Sequence, residues 1–391
     1  MGQSCGNSHH SMLNLAARAT QAINPVSRKN PVIKTKNGVL IIITIALMIV
    51  TLWWLIPGNS DDARWEDYLS RLARLSGQAV PERAPLPVLV YPGNRELQQP
   101  IPEQRVNLLE YLELRHCNLM TLISERNSIL GKLQADSLRL KHEVTFIRRA
   151  RLCLANGKLD DAELTALLEQ VVAEKQAALP ALYWNALVAS EEFRQFFSQS
   201  PSALAGDSQA ALLSLTQLAQ SPVENEAMPS PEQLFGLEAR LQQIAHSQVG
   251  GQLLRRLALA LRELERGNAL LENIDPVALC PKGRPTPRAR KLRNVLDNIW
   301  GSRVQQALAE AQRQRQQLAN ALAKIDQLLS PTPPAFAQWL AHYFSDKGLQ
   351  TRLNRALKHH VSLWQERLRQ CDLMPGGAQK LDDSANIDLE G

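Results

Sequence analysis

An uninterrupted apolar run near the amino terminus constrains the architecture of this chain more than any other sequence feature. Residues 39–56 have the sequence VLIIITIALMIVTLWWLI, which contains no charged side chain. As a helix these 18 residues extend about 27 Å, close to the thickness of the hydrocarbon core of a bilayer. Trp53 and Trp54 lie at one end, where interfacial aromatic residues occur, and Pro57 ends the helix. The sequence therefore predicts a transmembrane helix at residues 39–57.

The charges around this run predict its orientation. Residues 1–38 contain cations but no Asp or Glu, so the positive-inside rule assigns this basic tail to the cytoplasm. The tail accounts for most of the net charge of +6, and nucleic acid is therefore not expected as a partner. We predict a single-pass protein of the bacterial inner membrane with a periplasmic carboxyl-terminal domain. The alternative, a cleaved secretory signal, is disfavoured because no small-x-small cleavage site follows the run.

The rest of the chain has a composition typical of helices. Aromatic residues make up only 5%, while Leu, Ala, Gln, Arg and Glu predominate. We predict an all-α fold, a multi-helix bundle preceded by a single transmembrane helix. After the span we expect a short helix and Pro-rich linker at 58–103, a helical periplasmic domain at 104–373 with a loose connector near 199–231, and a flexible tail at 374–391.

A stripe of apolar side chains recurs at alternating spacings of four and three across residues 304–329. This spacing is typical of a coiled coil, but also of a single helix packed within a bundle. In a Leu-rich chain we favour the bundle, and the coiled coil stays as the alternative.

Four of the five cysteines lie in the predicted periplasmic domain: Cys117, Cys153, Cys280 and Cys371. An even number of cysteines in an oxidising compartment favours two disulfides, although four cysteines allow three pairings. We predict that Cys117 pairs with Cys153 and Cys280 with Cys371, because each pair would tie neighbouring helical stretches. The alternative is that some of them are buried free thiols. No two cysteines have CxxC spacing, so neither a zinc site nor a thioredoxin-type site is expected.

Residues 108–132 contain an unusual density of polar side chains among apolar residues at helical spacing. The candidate polar cluster consists of Glu113, Arg115, Glu125, Arg126 and Asn127. One interpretation is a polar functional site at a helix end. The other, which we favour, is a capping arrangement in which Asn127 or Ser128 ends one helix and orients the next.

A run of basic residues without any acid follows Cys280. The candidate binding residues are Lys282, Arg284, Arg288, Arg290, Lys291 and Arg293. At the periplasmic face of a membrane, such a run can bind anionic lipid, lipopolysaccharide or an acidic protein patch. The alternative is a solvated loop and helix start whose cations pair with nearby acids.

Motifs of common enzyme classes are missing. The sequence contains no GxSxG and no HExxH, and Leu130-Gly131-Lys132 lacks the upstream glycine of a phosphate loop. His359 and His360 are adjacent and therefore point to different helix faces, so they cannot bind one metal ion together. We expect no catalytic residue, no cofactor and no metal site, although triads are recognised by geometry rather than by sequence spacing.

Five segments of the chain are distinctive: YLSRLAR at 68–74, PIPEQRVNLLEYLELRHCNL, ERNSILGK, LPALYWNALVASEEFRQFF at 179–197 and WQERLRQC. These segments resemble a gammaproteobacterial family of unknown function, domain-of-unknown-function family 3080. The resemblance extends over residues 61–372 and implies an envelope protein, commonly one that begins with a lipoprotein signal. This chain has no lipobox cysteine after its apolar run, so lipid anchoring does not carry over. The family brings no activity and no site residue.

These observations favour a non-enzymatic interaction or scaffold protein of the envelope, anchored in the inner membrane by residues 39–56. Its partner would be another envelope protein or an anionic lipid. The alternative is a module that binds an envelope lipid or glycan through the basic run 282–293. An envelope hydrolase is a third, less favoured possibility.

Overall fold

Helices joined by short connections make up most of what the computed structural model describes, namely residues 60–102, 112, 114–199, 207–220 and 234–374. The chain divides at residue 57, and every described residue belongs to the unit that follows. The predicted cytoplasmic tail, the transmembrane run, Cys5, Glu113 and residues 375–391 lie outside the described residues. No described helix is both long enough and apolar enough to traverse a bilayer.

The helices in chain order are α1 (Asp61–Ser76), α2 (Asn94–Leu97), α3 (Met120–Asn127), α4 (Ile129–Lys132), α5 (Asp136–Ala155), α6 (Ala162–Ala177), α7 (Leu179–Leu187), α8 (Glu191–Phe196), α9 (Ser208–Ala219), α10 (Leu237–Ser247), α11 (Val249–Glu272), α12 (Pro276–Leu279), α13 (Pro287–Val295), α14 (Gln305–Asp326), α15 (Pro334–Phe344) and α16 (Leu349–Arg369). Single 3₁₀ turns occur at Leu114–Cys117 and Pro281–Gly283, and a wider π-helical segment, Leu296–Val304, joins α13 to α14. Over the described ranges the fold is all-helical, without a strand, as the composition predicts.

Local sequence signals account for where these helices begin and end. The Ser60 hydroxyl accepts a hydrogen bond from the Ala63 amide at the start of α1, and Gly77 ends that helix with a φ of 74°. Asp161, Ser190 and Thr286 cap α6, α8 and α13 in the same way. Because each cap satisfies an amide that lacks a partner within the helix, the boundaries follow from residues next to one another in the chain.

Helix α11 lies at the centre of the bundle. It packs along α16 and also contacts α1 and α14. Near its start, a Cβ at Gly251 would overlap the carbonyl oxygen of Ser198, so only glycine allows the backbone just after α8 to approach this closely. The Leu-rich stripe of α14 is buried against α9 and α11, which confirms the bundle and not the isolated coiled coil.

The segment predicted as a loose connector near 199–231 includes a regular helix. Within that range, α9 (Ser208–Ala219) packs on α10 and α14, with Leu212 and Leu215 buried. The Ser-, Ala- and Gln-rich composition suggested a connector, but leucines at helical spacing give α9 an apolar face that the bundle covers.

The Pro-rich linker is extended and fastened to the helices by hydrogen bonds. The Asn185 side chain accepts from the Gln99 amide at 2.7 Å and donates to the Gln99 carbonyl at 2.8 Å. The Trp184 indole donates to the Leu97 carbonyl at 2.8 Å, and Tyr91 donates to the Val188 carbonyl at 2.9 Å. Proline interrupts helix in this stretch, so its backbone groups are satisfied by side chains of the bundle instead.

Candidate functional site

Both disulfides form as predicted. Cys117 is bonded to Cys153, joining the 3₁₀ turn to α5 with Cα atoms 5.2 Å apart. Cys280 is bonded to Cys371, joining the end of α12 to the chain just after α16 with Cα atoms 5.4 Å apart. The second disulfide therefore holds the start of the basic run against the carboxyl-terminal helix.

Half of the basic run makes local structural contacts. Arg288 donates to the Leu75 carbonyl at 2.7 Å and so satisfies a backbone oxygen near the end of α1. Arg293 forms an ion pair with Asp297 at 2.6 Å, and Arg290 donates to the Pro285 carbonyl at 3.0 Å. Arg288 and Arg290 therefore stabilise the junction of α1, α13 and the loop before α13, whereas Arg293 links α13 to the π-helical segment that follows it.

The other half of the run is exposed, and its side chains have no hydrogen-bond or ion-pair partner among the described residues. Lys282 and Arg284 lie in the loop on either side of Gly283, and Lys291 extends from α13. Within the described part of the chain, the run is therefore not a single surface of six equivalent cations.

Lys291 reaches a groove between α1 and α13 that we call the basic groove. It has a volume of about 430 Å³. Its lining residues are Arg71, Arg74, Leu75, Lys291, Asn294, Val295, Asn298 and Ile299. Val295 and Ile299 are buried and form an apolar floor, while Asn294 and Asn298 are exposed at its edge.

The cations of the basic groove differ in their pairing. Arg71 is paired with Asp67 at 2.7 Å. Arg74 and Lys291 are exposed, and neither meets a carboxylate among the residues that the structure describes. Two uncompensated positive charges therefore face one concave surface. Arg74 was not predictable from the sequence, because it is far from Lys291 in the chain and no neighbouring residue distinguishes it as a binding residue.

The structure divides the candidate polar cluster. On the 3₁₀ turn, Arg115 donates to His116 at 3.0 Å, whereas Glu125 is exposed on α3. The Ser128 hydroxyl accepts from the Gly131 amide at 2.9 Å and caps α4. The capping interpretation is therefore right for Ser128. Arg126 and Asn127, by contrast, line a second cavity.

This second cavity, the Arg126 cleft, lies between α3, α5 and α6 and has a volume of about 180 Å³. Its polar lining adds His142, Glu143 and Lys175 to Arg126 and Asn127. The ammonium group of Lys175 contacts the Glu143 carboxylate at 2.6 Å, with side-chain exposures of 17% and 7%. No pattern in the sequence marks this pair, because single charged residues at helical positions are common and their pairing depends on how α5 and α6 pack.

A buried network at the centre of the domain contains His360, whose ring is fully enclosed. The Asn268 amide nitrogen donates to the Ala356 carbonyl at 3.1 Å, so its oxygen accepts from His360 Nδ1 at 2.6 Å. His360 Nε2 is then unprotonated and accepts from the Tyr68 hydroxyl at 2.7 Å. Trp364 donates to the Tyr68 oxygen at 3.1 Å.

The burial of this network determines its protonation. Burial, with a smaller contribution from the neighbouring His359, lowers the pKa of His360 from 6.5 to about 3. Burial also raises the pKa of Tyr68 well above its ordinary value. All members are neutral near pH 7 and enclosed, so the network joins α1, α11 and α16 and is not placed to meet a substrate.

Within the described ranges, no three His, Cys, Asp or Glu side chains are grouped so that they could hold a metal ion. His359 and His360 diverge as their adjacency predicts, since His359 contacts Glu272 at 2.8 Å on the surface while His360 is buried.

Comparison with known proteins gives one result. Neither a curated protein nor a solved structure matches the chain. The family described as a protein of unknown function, DUF3080, matches residues 65–375, which span α1 to the end of α16. The chain therefore belongs to the DUF3080 family.

Proposed function

We propose that this chain is a non-enzymatic binding protein of the bacterial envelope, anchored in the inner membrane by residues 39–56 with its helical domain in the periplasm. In this proposal, the domain recognises a phosphate or carboxylate group of an envelope lipid or glycan through the basic groove.

Two observations support the location. The apolar run at 39–56 follows a stretch rich in cations and free of acids, which favours a cytoplasmic amino terminus. The helical domain contains two disulfides, and disulfides persist in oxidising compartments such as the periplasm.

We infer an anionic ligand from one observation. Arg74 and Lys291 converge on the basic groove, and neither has a carboxylate partner in the described structure. A guanidinium can bind a phosphate or carboxylate through two parallel hydrogen bonds, and an ammonium adds a point charge. The apolar floor of Val295 and Ile299 suits the glycerol and first methylenes of a lipid, or one face of a sugar ring.

The test measures binding to the full chain purified in a maltoside detergent. The probes are dihexanoyl-phosphatidylglycerol, a uronic-acid trisaccharide and, as the zwitterionic control, dihexanoyl-phosphatidylcholine. The first two distinguish lipid from glycan as the source of the anion. The third measures binding without net charge, and binding of the preferred anion is expected to weaken as salt increases.

The variant is the double substitution R74Q/K291Q, with R148Q/K158Q as the matched control because Arg148 and Lys158 are exposed cations that do not line the groove. At about 1 kcal/mol per cation, the groove variant should bind the preferred anion about thirtyfold more weakly. The control should bind like the unmodified chain. Equal binding by all three proteins would contradict the proposal.

A second candidate, docking of another envelope protein, is favoured by a separate surface. Ile129, Leu130 and Leu133, at and just beyond α4, are each 79% exposed. Contiguous exposed aliphatic side chains often mark interaction sites. A photo-crosslinking residue at Leu130 in cells should give a discrete protein adduct that the same residue at the exposed Leu213 does not give. Identical patterns at the two positions would refute this candidate.

A further inference from the structure

The described side chains that line the Arg126 cleft have a net charge of about one positive unit. The Lys175 and Glu143 charges cancel because the two groups form an ion pair at 2.6 Å. Arg126 uses one guanidinium nitrogen to donate to the Gly131 carbonyl at 2.7 Å, and its other N–H groups have no hydrogen-bond acceptor in the described ranges. Asp136 interacts with Arg126 electrostatically, but it does not line the cleft, and Arg139 also acts on it. The cleft is therefore suited to an anion with one charge.

His142 provides an unused acceptor in the same cleft. Its Nε2 lies 2.8 Å from the Leu122 carbonyl oxygen. Because a carbonyl can only accept, Nε2 carries the proton and Nδ1 is an acceptor. Nδ1 is buried and has no hydrogen-bond partner among the residues that the structure describes. A buried polar atom without a partner is costly, and a ligand N–H or O–H would satisfy it.

The remaining wall is apolar. It is formed by Leu114, Ile123, Phe146, Leu164, Leu168 and Val171, among others. Phe146 is also held in place by the Lys175 ammonium group, which lies 5.0 Å from the centre of its ring. A cavity of about 180 Å³ with this wall suits one aliphatic or aromatic side chain together with a short polar backbone.

From these features we infer that the Arg126 cleft binds the carboxyl-terminal residue of a peptide whose last side chain is apolar. The carboxylate pairs with Arg126, the terminal amide N–H donates to His142 Nδ1, and the side chain packs on the apolar wall. This site is independent of the basic groove, since the two cavities share no lining residue.

A ligand series tests each contact on the unmodified full chain in detergent. N-acetyl-leucine contains the carboxylate, the amide N–H and the apolar side chain, and it should bind. N-acetyl-leucine amide lacks the carboxylate, 4-methylpentanoate lacks the N–H, and N-acetyl-glycine lacks the side chain. Each of these should bind at least tenfold more weakly. A Gly-Gly-Leu tripeptide should bind at least as well as N-acetyl-leucine, because the proposed ligand is a peptide end.

Two variants test the assigned residues. R126Q should reduce binding of N-acetyl-leucine at least tenfold but leave binding of its amide unchanged, since only the carboxylate contact is lost. H142F should reduce binding of N-acetyl-leucine while leaving 4-methylpentanoate unaffected. R148Q is the matched control, because Arg148 is an exposed cation of α5 outside the cleft.

The selective pattern keeps the test valid even if a variant is partly unfolded, because unfolding weakens binding of every ligand together. The inference is overturned if N-acetyl-leucine and its three analogues bind the unmodified chain equally, or if none binds. It is also overturned if well-folded R126Q binds N-acetyl-leucine as the unmodified chain does. Loss of binding at the basic groove would leave these results unchanged.

Discussion

Acidification below about pH 6.5 should destabilise the helical domain through a single side chain, His360. In the folded state its Nε2 accepts from Tyr68 at 2.7 Å, and its Nδ1 donates to Asn268 at 2.6 Å. A proton on Nε2 would remove the acceptor for Tyr68 and place a charge among neutral buried groups. Burial, with a smaller contribution from His359, lowers the folded pKa of His360 to about 3, against an ordinary 6.5 in the unfolded chain.

The sign and size of the effect follow from proton binding. Between pH 6.5 and about 3, the unfolded chain holds a proton on this imidazole that the folded chain does not. The contribution of His360 to the free energy of unfolding is therefore complete above pH 6.5. As the pH falls below this value, it decreases by about 1.4 kcal/mol per pH unit. Between pH 7 and pH 5 the free energy of unfolding should decrease by about 2 kcal/mol from His360 alone.

The measurement is urea unfolding of the full chain in detergent, with both disulfides intact, at pH 7 and pH 5. H360Q removes the titrating group but retains one donor and one acceptor, so it should lose about 2 kcal/mol less between the two pH values than the unmodified chain. H359Q, at the adjacent exposed position, is the control and should retain the unmodified difference. The reasoning fails if H360Q and the unmodified chain lose the same free energy of unfolding on acidification.

Two further predictions concern the packing of the bundle and its Pro-rich cover. G251A should lower the free energy of unfolding in a urea titration by about 2 kcal/mol, because its Cβ would overlap the Ser198 carbonyl. G267A is the control and should be close to neutral, because its Cβ would meet its nearest neighbours at 3.4 Å. N185A removes both hydrogen bonds to the Gln99 backbone, so residues 78–102 should be cleaved faster in limited proteolysis. An unchanged cleavage rate would show that these two hydrogen bonds do not hold the Pro-rich linker on the helices.

The candidate sites were only partly predictable from the sequence. The basic run identified Lys291, because cations without nearby acids are visible in the chain itself. The polar cluster identified Arg126 and Asn127, because an unusual density of polar side chains is visible there too. Their partners in each cavity were not predictable. Arg74 and Lys175 reach the cavities from other helices, and neither is distinguished from other surface cations by its neighbours in sequence.

By itself, the sequence predicted the all-helical character of the domain and favoured the two disulfides, and capping residues next to one another in the chain set helix ends such as that of α1. These depend on short-range physics: backbone propensity, caps that satisfy amides within one turn, and cysteines in helical stretches that lie next to one another. Only the tertiary structure decided that α9 is part of the bundle, that His360 is enclosed and neutral, and that two cavities gather polar side chains. Those outcomes depend on which helix faces meet, and a helix shows its apolar stripe in the sequence without showing the partner that covers it.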